Sequence, residues 1–156
     1  MEDAMILEST RFGKINYRKT DIVRMVRGLL GFDQKSFIII ALNGQEPFKW
    51  LHSLDDPDLA FLVIDPHFFI PDYSFEINSK DLTLLGADNS NDISTFVLVT
   101  IPKGQPDKMS VNLQGPVIIN KKNLLAAQLV LGESIYEIRH PIFRELDSKI
   151  AAVAAH

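Results

Sequence analysis

The sequence of 156 residues contains no cysteine. A chain without thiols cannot form a disulfide framework, a thiolate zinc site, an iron–sulfur cluster or a cysteine nucleophile. A chain of this length can instead bury roughly 70% of the surface that it exposes when unfolded, which is enough for a hydrophobic core. The length therefore predicts a single folded domain, and the absence of cysteine fits a reducing compartment.

Long hydrophobic runs and a secretion signal are also missing. The longest strongly apolar runs, residues 37–42 and 59–64, are far shorter than a membrane-spanning helix, which needs about 20 residues. The N-terminal residues 1–4, Met-Glu-Asp-Ala, are acidic and lack the basic and then apolar layout of a signal peptide. These features predict a cytoplasmic protein that does not span a membrane.

Basic residues are outnumbered by acidic ones. The chain has 16 Lys and Arg against 20 Asp and Glu, for a net charge of −4. Nucleic-acid binding depends on a basic surface, because phosphate contacts dominate its affinity. Arg18, Lys19, Arg24 and Arg27 are spread over a segment that also holds Asp21, and we interpret them as a solvated strand face. The sequence thus predicts no direct binding of nucleic acid and favours a basic protein partner.

Candidate catalytic and metal-binding residues are few. The four histidines, His52, His67, His140 and His156, are not at helical metal-binding spacing. The acidic run at 55–58 lacks the alternating ligands, central glycine and terminal glutamate of a calcium loop. We therefore predict no catalytic residue, no metal and no cofactor, and a protein that is not an enzyme. A small barrel that carries a cofactor such as a flavin stays open as an alternative, because such sites often leave no short motif.

The hydrophobic pattern changes about every eight to twelve residues, with turn residues between, which is typical of an all-β barrel or sandwich. Residues 48–54, 59–65 and 73–77 are among the predicted strands, and a short helix is predicted from an N-cap at Ser79 to a stop at Gly86. We predict an all-β, small barrel-like single domain over residues 1–141, with short helical insertions, and a monomer.

A different pattern follows residue 141. Apolar residues recur there at helical spacing, with charged residues between them. They are Ile142, Leu146, Ile150 and Val153. This spacing predicts a C-terminal helical tail over residues 142–156, which we expect to be peripheral and dispensable for the barrel.

Several segments, in this order along the chain, resemble the flagellar assembly factor FliW family. They are TRFG at 10–13, GLLGF at 28–32, PFKWLHSLDDPDLAF at 47–61, DP at 65–66, PDY at 71–73, DL at 81–82, NLQGPVIIN at 112–120, QLVL at 128–131 and YEIR at 136–139. The resemblance spans residues 6 to about 140, and the long central block makes it specific.

The resemblance implies a regulatory protein of flagellar assembly that is all-β and not an enzyme. It implies two partners: CsrA, a small dimeric RNA-binding protein that represses flagellin translation, and flagellin itself. Binding of CsrA would relieve that repression, and rising flagellin would restore it by partner switching. A flagellin chaperone with a secondary regulatory role stays open as an alternative, because one surface could serve both partners.

A protein-binding site is predicted in the middle third of the chain. We expect a rim of carboxylates around one or more exposed aromatic side chains, because charge would steer a basic partner and aromatics would supply a desolvated centre. The acidic residues are Asp55, Asp56, Asp58, Asp65 and Asp72, and the aromatic residues are Phe68, Phe69 and Tyr73. The alternative is that these acids only shape turns. Trp50, in a dense aromatic strand, is interpreted as core.

Overall fold

The computed structural model describes residues 4–27, 29, 31–33, 35–132, 135–142 and 153, and β-strands dominate in them. The strands are β1 (Ala4–Ser9), β2 (Gly13–Arg18), β3 (Val23–Arg27), β4 (Ser36–Ile40), β5 (Lys49–Ser53), β6 (Ala60–Ile64), β7 (Ile93–Thr100), β8 (Ser110–Val111), β9 (Val117–Asn120), β10 (Leu125–Gln128) and β11 (His140–Pro141). One α-helix, α1, spans Ser79–Leu84, and single turns of 3-10 helix include Pro66–Phe68.

Seven strands close into a barrel in the order β3-β4-β5-β6-β7-β9-β10. Pairing of β7 with β9 and of β10 with β3 completes the ring. The β10–β3 pair is parallel and the other pairs of the ring are antiparallel. Closure leaves the ring without unpaired edge strands. The prediction of an all-β, barrel-like domain is confirmed, as a mixed seven-stranded barrel.

The barrel interior is filled by side chains from all seven strands. They form one buried cluster that includes Val23, Met25, Phe37, Leu51, Val63, Phe96, Val117, Ile119 and Ala126. Alternate residues of a strand face opposite sides of the sheet, so the neighbours of these residues point outward. The interior is thus a packed core.

A second core covers the outer face of β4 to β7. Ile38, Leu62 and Val97 contribute to it, and the β1–β2 hairpin supplies Leu7. These strands are buried on both faces, which explains why their sequences are nearly continuous apolar runs. Trp50 is only 5% exposed in this core, as expected from its sequence context.

The β1–β2 hairpin is fastened to the barrel by a buried hydrogen-bond chain. The Ser9 hydroxyl lies 2.8 Å from Nε2 of His52, which is fully buried. Nδ1 of His52 lies 2.7 Å from the carbonyl oxygen of Ser53, so Nδ1 donates there and Nε2 accepts from Ser9. The Ser9 oxygen also accepts from the backbone N–H groups of Arg11 and Phe12. Both ring nitrogens of His52 are therefore engaged in holding the fold together.

Helix α1 confirms the predicted short helical insertion, with one correction. The N-cap is Asn78, not Ser79: the side-chain oxygen of Asn78 accepts from the backbone N–H of Asp81 at 2.8 Å. Asn and Ser cap helices about equally well, so the sequence did not distinguish the two neighbours. Gly86 has a φ of +66°, in the left-handed region that glycine tolerates, and stops the helix as predicted.

The predicted C-terminal helix is not confirmed, because residues 143–152 and 154–156 lie outside the described part of the chain. The only α-helix whose bounds the structure gives within the described ranges is α1. Two residues of the tail are described, Ile142 and Val153. Both are almost fully buried, at 0% and 2% exposure, in the same core as Trp50. This burial argues against a dispensable tail.

The substitution Ile142→Ala is expected to lower the free energy of unfolding by about 2–5 kcal/mol, because it empties a fully enclosed site. Ile138→Ala is the matched control, since Ile138 is 60% exposed and its truncation leaves no enclosed cavity. Urea unfolding of both variants measures the difference. Equal stability of the two variants would show that Ile142 adds nothing to the core.

Candidate protein-binding site

The acidic residues Asp55, Asp56 and Asp58 lie in the loop between β5 and β6. The Ser53 hydroxyl oxygen accepts from the backbone N–H groups of Asp55 and Asp56, each at 3.0 Å. The Asp56 carboxylate accepts from the backbone N–H of Asp58 at 2.9 Å. Short polar side chains that bond to nearby backbone in this way define the turn. We call residues 55–58 the acidic turn.

The acidic turn also contacts the β1–β2 hairpin. The Thr10 hydroxyl donates to the Asp58 carboxylate, and the Thr10 backbone N–H donates to the carbonyl of Pro57 at 3.0 Å. Asp55 makes one long contact, 3.5 Å from the backbone N–H of Ser36. Asp55 and Asp58 are exposed and Asp56 is half-buried. These acids therefore shape the turn, and they also place negative charge at the surface.

Asp65 and Phe68 lie at the other end of β6. The Asp65 carboxylate caps the Pro66–Phe68 turn by accepting from the backbone N–H of His67 at 2.9 Å. The ring of His67 bridges Asp65, at 2.7 Å from Nδ1, and the carbonyl of Tyr73, at 2.9 Å from Nε2. This bridge holds the loop in a shape that leaves Phe68 63% exposed.

The other predicted aromatics are less accessible. Phe69 is half-buried and stacks on His140, with ring centroids 6.1 Å apart. Tyr73 is 2% exposed, and its hydroxyl donates to the carbonyl of Leu113 at 2.7 Å, so it belongs to the core and is unavailable to a partner. Burial raises the pKa of Tyr73 above its ordinary value, and the neighbouring Tyr136 raises it further. Asp72 is exposed.

The structure separates the predicted residues into two groups. The acidic turn precedes β6, whereas Asp65, Phe68 and Asp72 follow it. Leu59 and Asp65 flank the five residues of β6, so six residue steps separate them, which is roughly 20 Å at ~3.3 Å per step in an extended strand. The carboxylates do not form one rim around Phe68. The apolar neighbour of the acidic turn is instead Ile6 of β1, which is 59% exposed and shares a shallow groove with Leu54 and Pro57.

A second, larger groove was not predicted from the sequence. It encloses about 1310 Å³ between α1 and the segments around residues 74–78, 128–131 and 135–136. Its lining includes Leu84, Val130 and Ile135, which are 42%, 66% and 93% exposed. The Arg27 guanidinium lies 2.6 Å from the Asp81 carboxylate at its border. The apolar run Leu129-Val130-Leu131 could have indicated this groove from the sequence. Consecutive side chains in an extended segment face opposite sides, so at least one of these three had to point outward.

The described residues form neither a cluster of metal ligands nor a membrane-spanning helix. Among the described residues, no group of three or more His, Cys, Asp or Glu side chains could hold a metal ion. Over the same residues, no helix is long and apolar enough to cross a membrane. The described surface carries exposed carboxylates, and it carries exposed apolar side chains beside grooves. These are features of a protein-interaction domain.

Comparison with known proteins identifies the family. A family model described as FliW protein matches residues 6–142. The flagellar assembly factor FliW of Caldanaerobacter subterraneus subsp. tengcongensis is 41% identical over 144 residues, covering 91% of this chain and 95% of that protein. FliW of Treponema denticola is 40% identical over 145 residues, covering 92% and 97%. The chain belongs to the FliW family of flagellar assembly factors, and as a member of it is not an enzyme.

A solved structure agrees with this assignment. A crystal structure of the flagellar assembly factor FliW superposes with a TM-score of 0.80 at 29% sequence identity, covering 88% of this chain and 96% of that one. The resemblance stated from the sequence is therefore confirmed over nearly its whole predicted span.

Proposed function

We propose that the chain regulates flagellar assembly by binding the RNA-binding repressor CsrA and flagellin in alternation, so that bound CsrA no longer represses flagellin translation. The observation that carries the proposal is membership of the FliW family together with an acidic surface. A protein that binds RNA presents positive charge, and the exposed carboxylates of Asp55 and Asp58 are complementary to it.

The contact surface that we propose for CsrA is the acidic turn with its apolar neighbour Ile6, and Phe68 with Asp65 and Asp72 forms a second patch. Charge at the rim of an interface raises the association rate, whereas desolvated apolar groups supply most of the affinity. Ile6 and Phe68 are both more than half exposed and could become buried on binding. Tyr73 and Phe69 are assigned no contact role.

The test is a gel shift in which CsrA is first bound to an RNA oligonucleotide. Adding the chain is expected to release free RNA, and adding flagellin afterwards is expected to restore the CsrA–RNA band. The chain alone, titrated onto the same RNA, is the control and is expected to shift nothing. A CsrA–RNA band that persists at micromolar concentrations of the chain would contradict the proposal.

A flagellin chaperone with a secondary regulatory role is the second candidate. The groove that exposes Leu84, Val130 and Ile135 favours it, because exposed apolar side chains around a concave surface suit an apolar segment of an unassembled protein. The two candidates differ in one result of the same experiment. If flagellin binds the chain without restoring the CsrA–RNA band, the chaperone function is supported and partner switching is not.

A further inference from the structure

The ring of His67 joins the two ends of a surface loop. Nδ1 lies 2.7 Å from the Asp65 carboxylate, just after β6, and Nε2 lies 2.9 Å from the backbone carbonyl oxygen of Tyr73. The side chain of His67 is 46% exposed, so protons from solution reach the ring. We call residues 65–73 the Phe68 loop, after its exposed aromatic residue, and we call the two ring contacts the His67 clasp.

The oxygen atoms at both ends of the clasp can only accept hydrogen bonds. An ionised carboxylate has no proton to donate, and neither has a peptide carbonyl. The same Asp65 oxygen also accepts from the backbone N–H of His67 at 2.9 Å. A neutral imidazole carries one N–H, whereas an imidazolium carries two. Both contacts of the clasp are therefore hydrogen bonds only when the ring is protonated.

The neutral ring can keep only one of the two contacts. A carboxylate accepts more strongly than a peptide carbonyl, because its hydrogen bonds are charge-assisted. The distance to Asp65 is also the shorter of the two. The proton that stays is therefore the one on Nδ1. Nε2 then directs a lone pair at the carbonyl oxygen of Tyr73, and the two atoms repel each other, so loss of one proton opens the Tyr73 end of the clasp.

The groups around the clasp determine what else responds to pH. The strand that packs against the Pro66–Phe68 turn is β7, and its sequence ISTFVLVT contains no ionisable side chain. Other ionisable groups of the loop, and of the residues bonded to it or stacked on it, are Asp72, Tyr73, Tyr136, Glu137 and His140. His140 reaches the loop by stacking on Phe69. Of these side chains, only His140 belongs to a type that titrates between pH 5 and 8, so it needs its own control.

We propose that His67 is a proton-operated clasp, which closes the Phe68 loop when the ring is protonated and releases its Tyr73 end when the ring is neutral. The backbone hydrogen bonds inside the loop, from Ile70 to Pro66 at 2.8 Å and from Tyr73 to Ile70 at 3.0 Å, contain no titrating atom. The loop surface that exposes Phe68 is therefore better ordered at pH 5 than at pH 8. This regulation belongs to the loop and does not depend on which partner the chain binds.

Nitrogen NMR of the wild-type chain measures the protonation of the ring, because long-range hydrogen–nitrogen correlations distinguish Nδ1 from Nε2. On the acid side of the His67 titration, both nitrogens are expected to carry a proton. On the basic side, Nε2 is expected to lose its proton and Nδ1 to keep it, since the hydrogen bonds of the ring set its tautomer. A neutral ring that carries its proton on Nε2 would overturn the proposal.

Hydrogen exchange measures the order of the loop. The protection of the Ile70 and Tyr73 amides, corrected for the intrinsic exchange rate at each pH, is expected to fall at least about tenfold from pH 5 to pH 8, the effect of losing one hydrogen bond to a charged group. In His67→Gln, which cannot titrate, protection is expected to be the same at both pH values. His140→Gln removes the other histidine at the loop and is the matched control, which is expected to keep the wild-type pH dependence.

Equal protection of the wild-type amides at pH 5 and pH 8 would also overturn the proposal. So would a pH dependence that persists in His67→Gln or disappears in His140→Gln, because the ring of His67 would then not be the group that responds. An unchanged circular dichroism spectrum shows that the barrel of each variant is intact. If His67→Gln does not fold, the tautomer measured in the wild-type chain decides the question.

Discussion

Replacing Asp55 and Asp56 together by lysine is expected to slow association of the chain with CsrA about ten- to hundredfold at low ionic strength, the range that electrostatic steering commonly spans. Both residues lie in the acidic turn, where the Asp56 carboxylate also accepts from the backbone N–H of Asp58, so the circular dichroism spectrum of the variant is compared with that of the wild-type chain. Asp58 is left unchanged because its carboxylate accepts from the Thr10 hydroxyl and ties the turn to the hairpin. Stopped-flow kinetics measures the association rate.

The slowing of association by the Asp55 and Asp56 double variant is expected to be smaller at high salt. The screening length falls from about 30 Å at 0.01 M to about 3 Å at 1 M ionic strength. Asp88→Lys with Asp107→Lys is the matched control, because both residues are exposed and the change in net charge is the same. Equal slowing by the two double variants would mean that only total charge matters. Wild-type rates in the Asp55 and Asp56 variant would remove the acidic turn from the interface.

The second large effect concerns Tyr73 and high pH. Burial, with a further contribution from Tyr136, raises the pKa of the folded-state hydroxyl above the ordinary value of 10.0. Above that value the unfolded chain loses the Tyr73 proton while the folded chain retains it, so the unfolded state binds fewer protons and stability falls as pH rises. The contribution of Tyr73 is therefore fully present below pH 10 and is lost above it.

Tyr73→Phe isolates this contribution from the titration of other groups. Near neutral pH the variant is expected to be less stable by about 1–3 kcal/mol, because the carbonyl of Leu113 loses its buried donor. Above pH 10 the wild-type chain loses the stability that depends on the protonated hydroxyl, whereas phenylalanine cannot ionise. The stability difference is therefore expected to narrow with pH, as measured by urea unfolding. If the stability difference between the wild-type chain and Tyr73→Phe stays constant from pH 8 to the highest pH measured, this prediction is wrong.

The local parts of the fold could be predicted from the sequence. The runs at 48–54 and 59–65 correspond to β5 and β6, because apolar strands separated by an Asp-Pro turn form a hairpin whose pairing is decided by neighbours in the chain. The same locality made the acidic turn and the short helix α1 predictable. The segment 73–77 was predicted as a strand but forms none, since Tyr73 is fixed by side-chain contacts and not by a ladder.

The grouping of the candidate site could not be predicted in the same way. The acidic turn and Phe68 are close in sequence, yet the length of β6 separates them, and Ile6 comes to the turn from the start of the chain. The burial of Tyr73 depends on Leu113 and Tyr136, which lie far along the sequence. The sequence identifies which acidic and aromatic residues are candidates. Only the three-dimensional arrangement decides which of their side chains are exposed to solvent.

The parallel pairing of β10 with β3 has a consequence for synthesis of the protein. Arg24 pairs with Leu125, roughly a hundred residues later, so the ring cannot close until nearly the whole domain has left the ribosome. Until then β3 presents an unpaired edge, which is the kind of surface that recruits other strands. Contacts of such long range also slow folding, since much loop entropy is lost before they form. A nascent or truncated chain that ends before β10 therefore leaves the edge of β3 open, and such a chain is expected to aggregate more readily than the closed barrel.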